Sequence, residues 1–141
     1  MNPFQSLREY ERFVYTLQQR FPSIARSTLV VARRGRLFAE LTGEITFADG
    51  HRLATYERLS WETGPLVIEG YSYEVWHGNK KLYWYDSQPH PNDPKLASTH
   101  PHHKHIPPDV KHHRVPAPNL SFTEPNLPFL IQEVETTLIT D

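Results

Sequence analysis

Apolar residues near the start of this chain recur at spacings of three and four: Leu7, Tyr10, Val14, Leu17 and Phe21. That period predicts an amphipathic helix, and Pro22 closes it. Asn2 and Pro3 read as an N-cap and a first helical position, with Gln5 completing a capping-box pattern. The period then falls to two. Across 37–47 the odd positions are Leu37, Ala39, Leu41, Gly43, Ile45 and Phe47, while the even positions are Phe38, Glu40, Thr42, Glu44 and Thr46. This predicts a strand with one buried face. A Val/Leu-rich run over 27–33 precedes it, and further strands follow over 53–61, 67–76 and 82–86. Asp49-Gly50 and Gly78-Asn79 signal hairpins. Leu127, Leu130, Ile131, Val134 and Leu138 restore the helical period, with Asn126 as the expected cap. The expected fold is α+β: a five-stranded antiparallel meander with N- and C-terminal helices packed on one face.

Composition changes the picture after residue 87. Ten of the 13 prolines lie from Pro89 to Pro128, and proline removes a backbone donor from any ladder. The expected layout is one domain over 1–141. The helix and meander fill 1–87, a long His/Pro-rich excursion spans 88–122, and the C-terminal helix occupies 123–141. The excursion should run across the open sheet face or along an edge. There is no cysteine, which excludes a disulfide scaffold, Cys-based zinc sites and a Cys nucleophile. No apolar run approaches the roughly 18 residues that span a bilayer. The charged N-terminus lacks a signal core. A soluble, cytoplasmic protein with no membrane contact is the expectation. Net charge is −1, so there is no global attraction to nucleic acid, and basic character is local to Arg26, Arg33, Arg34 and Arg36.

The candidate chemistry lies in the excursion. Seven of the nine histidines fall between His90 and His113, most densely in His100-Pro101-His102-His103-Lys104-His105. Histidine titrates near neutrality and ligates metals. Three readings of the cluster stand open. In the first, it is a metal site, in which the histidines with Asp86 or His90 hold Zn, Mn or Ni. A metal-dependent nuclease would then use His90, His105 and Asp86. In the second, His103 and His105, with His90 and His102 beside them, do metal-free acid–base chemistry on an RNA phosphodiester. Lys104 would stabilise the phosphorane and Asp86 would orient a histidine. No cofactor is then required. In the third, the segment does no chemistry and is a non-enzymatic metal- or nucleic-acid-binding surface. Adjacent side chains on an extended chain point to opposite faces, so His103 and His105 share one side and His102 takes the other.

Other residues could assist. Arg33, Arg34 and Arg36 could contact phosphate. Tyr73 could offer a phenol to a reacting phosphate, and the surrounding aromatics could stack on bases. Glu40 and Glu44 should face solvent. Open sheet edges make a homodimer a further expectation.

Tyr71-Ser72-Tyr73, then Asp86-x-x-Pro89-His90, then Pro101-His102-His103-Lys104-His105 resembles the TumE-like toxin family of prokaryotic toxin–antitoxin modules. The resemblance is concentrated over 69–105. Ser87, Pro91, Glu74 and Trp84 depart from the family pattern, which often has Asn, His, His and a basic residue there. The resemblance implies a small toxin acting on RNA and held inactive by a cognate antitoxin. It assigns no catalytic residues. The roles above rest on the chemistry of the side chains.

Overall fold

The computed structural model describes residues 2–87, 101–107 and 114–139. The N-terminal helix is shorter and more segmented than its apolar period suggests. Asn2 caps only a short 3-10 turn, Pro3–Gln5, by accepting from the Phe4 amide. Ser6 caps the first true helix, α1 (Leu7–Tyr15), by accepting from the Glu9 amide at 3.1 Å. The effective cap is therefore Ser6, not Asn2. Thr16 leaves helical geometry and returns its hydroxyl to the Arg12 carbonyl at 2.7 Å, so α2 (Leu17–Arg20) is a separate turn.

Among the described residues the sheet has eight antiparallel strands, not five. They are β1 (Ile24–Ser27), β2 (Val30–Arg33), β3 (Phe38–Phe47), β4 (His51–Ser60), β5 (Val67–His77), β6 (Lys80–Asp86), β7 (His103–His105) and β8 (Arg114–Pro116). Their order is β1-β3-β4-β5-β6-β7-β8, with β2 also on β3. Two physical causes account for the extra strands. The run over 27–33 is broken where the Thr28–Leu29 backbone crosses Gly43. A Cβ on Gly43 would lie 2.5 Å from the Thr28 carbonyl oxygen, and its φ is +134°. Only glycine admits that approach. Second, the His/Pro segment contains β7 and β8, which extend the sheet along the β6 edge. Short strands between prolines escape a composition-based reading. The two glycine hairpins, β3–β4 and β5–β6, occur as expected, with Gly50 and Gly78 at positive φ.

Alternation divides the sheet into two faces. Leu41, Ile45, Leu53, Leu59, Tyr73 and Val75 are buried on one of them. Both helical regions pack there: Tyr10 of α1 reaches Glu57, and Glu133 of α3 (Leu127–Val134) reaches Tyr85. Asn126 stands at the N-cap position of α3, and its carbonyl accepts from the Leu130 amide, but its side chain is used elsewhere. That side chain makes no cap bond; it accepts from the Ser121 amide and donates to the Tyr73 hydroxyl inside the core. The opposite face carries Glu40, Tyr56, Ser72, Trp84 and Asp86 in adjacent register. Among the described residues, no helix is long and apolar enough to cross a membrane.

Candidate functional site

The histidine segment gains its geometry from strand pairing. On β6–β7, Asp86 stands directly opposite His103, and Trp84 opposite His105. Paired residues share a sheet face, so Asp86, His103 and His105 converge. The carboxylate of Asp86 lies 2.5 Å from His103 Nε2 through Oδ1 and 3.3 Å from His105 Nε2 through Oδ2. The two Nε2 atoms are 3.2 Å apart. His103 and His105 are almost fully buried, at 1% and 3% exposure, whereas the Asp86 side chain keeps 20%. Burial pushes the Asp86 carboxyl up, but the hydrogen bonds and charges of His103 and His105 outweigh it. The net result holds the carboxyl well below the usual range. His103 Nδ1 lies 3.1 Å from the Pro101 carbonyl. A carbonyl can only accept, so that nitrogen carries the proton.

The same alternation places the neighbouring candidates elsewhere. His102 turns to the core side, with Nδ1 2.6 Å from the Tyr71 hydroxyl and its ring against Phe122. Lys104 also turns to the core side, 3.2 Å from Glu133 and over the Tyr83 ring. It therefore cannot serve a phosphate held at His103 and His105. The period-two rule that separates His102 from His103 applies equally to Lys104.

Tyr73 is sealed in the core, at 0% exposure, and donates to Glu57 at 2.5 Å. It offers nothing to a polymer in solvent. Arg33 stacks on Trp61 and Arg34 pairs with Glu40 at 2.8 Å. The arginine cluster begins on β2, four strand spacings from β6, on the order of 20 Å away. Arg36 follows in the turn before β3. These arginines are not part of the β6–β7 cluster. His90 lies outside the described residues.

Two side chains beside the cluster escape a reading of the sequence. Arg114 of β8 stands opposite His105, on the same face, and its Nε is buried without a hydrogen-bond partner. The Trp84 ring meets His105 edge-on at 4.5 Å, and its indole N–H is also buried and unbonded. No sequence signal pairs Arg114 with His105, because that pairing depends on the register of two three-residue strands. Glu57 is a different omission. It stands at an inward position of the alternation Leu53, Thr55, Glu57, Leu59 and is fully buried. A glutamate on the apolar phase of a strand was a legible signal.

The toxin TumE family model matches residues 13–138, nearly the whole chain. The chain belongs to the TumE toxin family. It is thus a toxin of a toxin–antitoxin module, and membership implies a cognate antitoxin as partner. Comparisons with curated proteins and with solved structures give no match.

Proposed function

We propose that this TumE-family toxin is an endoribonuclease whose reaction centre is the Asp86–His103–His105 cluster, with Arg114 as its phosphate-binding cation. The observation that supports this most is the convergence of one carboxylate and two imidazoles on a single point of the open sheet face. Such groups converge where a proton or a cation must be held beside a reacting oxygen. Arg114 adds an unbonded guanidinium nitrogen next to His105. A phosphate oxygen would satisfy it with a charge-assisted hydrogen bond.

In RNA cleavage the 2′-hydroxyl gives up its proton to a base and its oxygen bonds to phosphorus. The P–O5′ bond breaks and the departing O5′ takes a proton. The products are a 2′,3′-cyclic phosphate and a 5′-hydroxyl. The cluster manages the charge at the reacting oxygens, and Arg114 stabilises the phosphorane. His103 has Nδ1 on Pro101 and Nε2 on Asp86. Its contribution is therefore to fix the cluster, and Asp86, the most exposed of the three side chains, stands nearest the substrate. Arg114 takes the role that chain order suggests for Lys104.

The test is incubation of the tag-free full-length chain with total RNA and with defined oligonucleotides, with product ends analysed. Cleavage that leaves 2′,3′-cyclic phosphate, stops on adding the antitoxin and falls with Asp86→Asn supports the proposal. Toxicity retained by Asp86→Asn, without cleavage by the parent, would remove it. The non-enzymatic reading would then take over.

A further inference from the structure

We infer that Asp86, His103 and His105 form a binding site for one divalent transition-metal cation of the Zn2+ type. The inference rests on the proposed reading only for what the cation would do; the binding is argued from geometry. A tetrahedral ion with bonds of 2.0–2.1 Å separates its ligand atoms by about 3.3 Å. The His103 Nε2–His105 Nε2 separation is 3.2 Å, and His105 Nε2–Asp86 Oδ2 is 3.3 Å. Two edges of the ligand triangle thus match a bound ion. The third, His103 Nε2 to Asp86 Oδ1 at 2.5 Å, is a hydrogen-bond distance. An ion entering there displaces that proton and needs Asp86 to withdraw by about 1 Å, a side-chain rotation.

The surroundings fit the same assignment. Pro101 holds the Nδ1 proton of His103, which directs its Nε2 to the cluster. Ligating histidines are typically oriented by such a bond from the other ring nitrogen. The lysine on the strand, Lys104, is committed to Glu133 on the other face, so it does not neutralise the cluster. The donors sit on hydrogen-bonded strands in fixed register, Asp86 opposite His103 and His105 two residues on, so little ordering is left for binding. Two imidazoles and one carboxylate suit Zn2+, Co2+ or Mn2+ better than Mg2+, which prefers all-oxygen shells. The three ligands found among the described residues leave one position of a tetrahedral ion for a further group, as in catalytic zinc sites. In the proposed nuclease, that position takes a phosphodiester oxygen, with Arg114 beside it.

The experiment uses the full-length chain produced without a histidine tag and stripped with chelator. Titration calorimetry with Zn2+ should show one site tighter than the background of the other histidines. His105→Gln or Asp86→Asn should weaken that site by about 100-fold, whereas His102→Gln should leave it within about twofold, since His102 faces the core. Co2+ should give the intense visible bands of a tetrahedral N/O site in the wild-type chain, a readout that survives if a variant fails to fold. Absence of both a stoichiometric Zn2+ site and those bands in the folded wild type overturns the assignment. So does His105→Gln binding as tightly as the parent. Metal binding without RNA cleavage would sink the nuclease reading and leave the site standing; chelator-resistant cleavage with no bound metal would do the reverse.

Discussion

Two carboxylates of one sheet, on β4 and β6 with β5 between them, sit among hydrogen-bonding side chains, and they are driven in opposite directions. Glu57 on β4 lies on the core face, receives hydrogen bonds from Tyr10 and Tyr73 at 2.5 Å each, and is fully buried. Burial raises its pKa to about 7, and the phenol hydrogen bonds only partly oppose this. Asp86 on β6 lies on the open face against two imidazoles and is held below the usual carboxylate range. Neutral phenols can donate to a carboxylate without supplying a counter-charge. Imidazoles can supply one. The core carboxylate therefore serves packing and links α1, β4, β5 and, through Asn126, the chain leading into α3. The β6 carboxylate instead pairs with two imidazoles on the opposite face, where its side chain keeps 20% exposure.

The comparison breaks most sharply at Asp86. Asp86→Asn should lower RNA cleavage by about 100-fold or more, read in single-turnover assays, while melting as a folded protein. If instead Glu57→Gln abolished cleavage and Asp86→Asn did not, the roles assigned to the two faces would be reversed.

The next effect is on stability against pH. Glu57 binds its proton more tightly in the folded chain than in the unfolded one. The folded state is thus favoured while both forms are protonated and loses ground as pH rises from the unfolded value through about 7. Between pH 5 and 8 the loss from this group is roughly 3 kcal/mol. Urea melts of Glu57→Gln should lack that decline, and a parallel decline in both proteins would assign it to other groups. Asp86 has the opposite sign: its pairing contributes above the unfolded carboxylate range and is lost as pH falls through its depressed folded value.

Arg114→Ala should reduce cleavage by about tenfold to 100-fold, the scale of one charge-assisted contact to phosphate, with cleavage kinetics at varied RNA concentration as the check. Lys104→Met should leave cleavage within about twofold and destabilise by about 1 kcal/mol through its partly exposed Glu133 pair. A cleavage loss as large as that of Arg114→Ala would return Lys104 to the site.

Much of this was legible in the chain. Alternation over β3 to β6, the hairpin signals at Asp49-Gly50 and Gly78-Asn79, and the C-terminal helical period each report a local backbone preference, and each occurs in the fold. The pairing of His103 with His105, apart from His102, followed from period two alone. Lys104 shows the cost of applying that rule incompletely. The cap at Ser6, the break at Thr28–Leu29 and the loss of Asn126 to the core depended on contacts from distant segments, which overrule local propensity.

By itself the sequence determined the two periodicities, the turns and a histidine set beside a strand-ending aspartate. It also carried the motif by which the chain resembles TumE toxins. These properties depend on residues close together in the chain. Only the tertiary structure decided that residues 103–105 become a strand on β6, setting Asp86 against His103. It also decided that Arg114, rather than Lys104 or the Arg33–Arg34 cluster, stands beside His105. Strand register is selected by burial and pairing across the whole sheet. A one-residue slip would turn every one of these side chains to the other face.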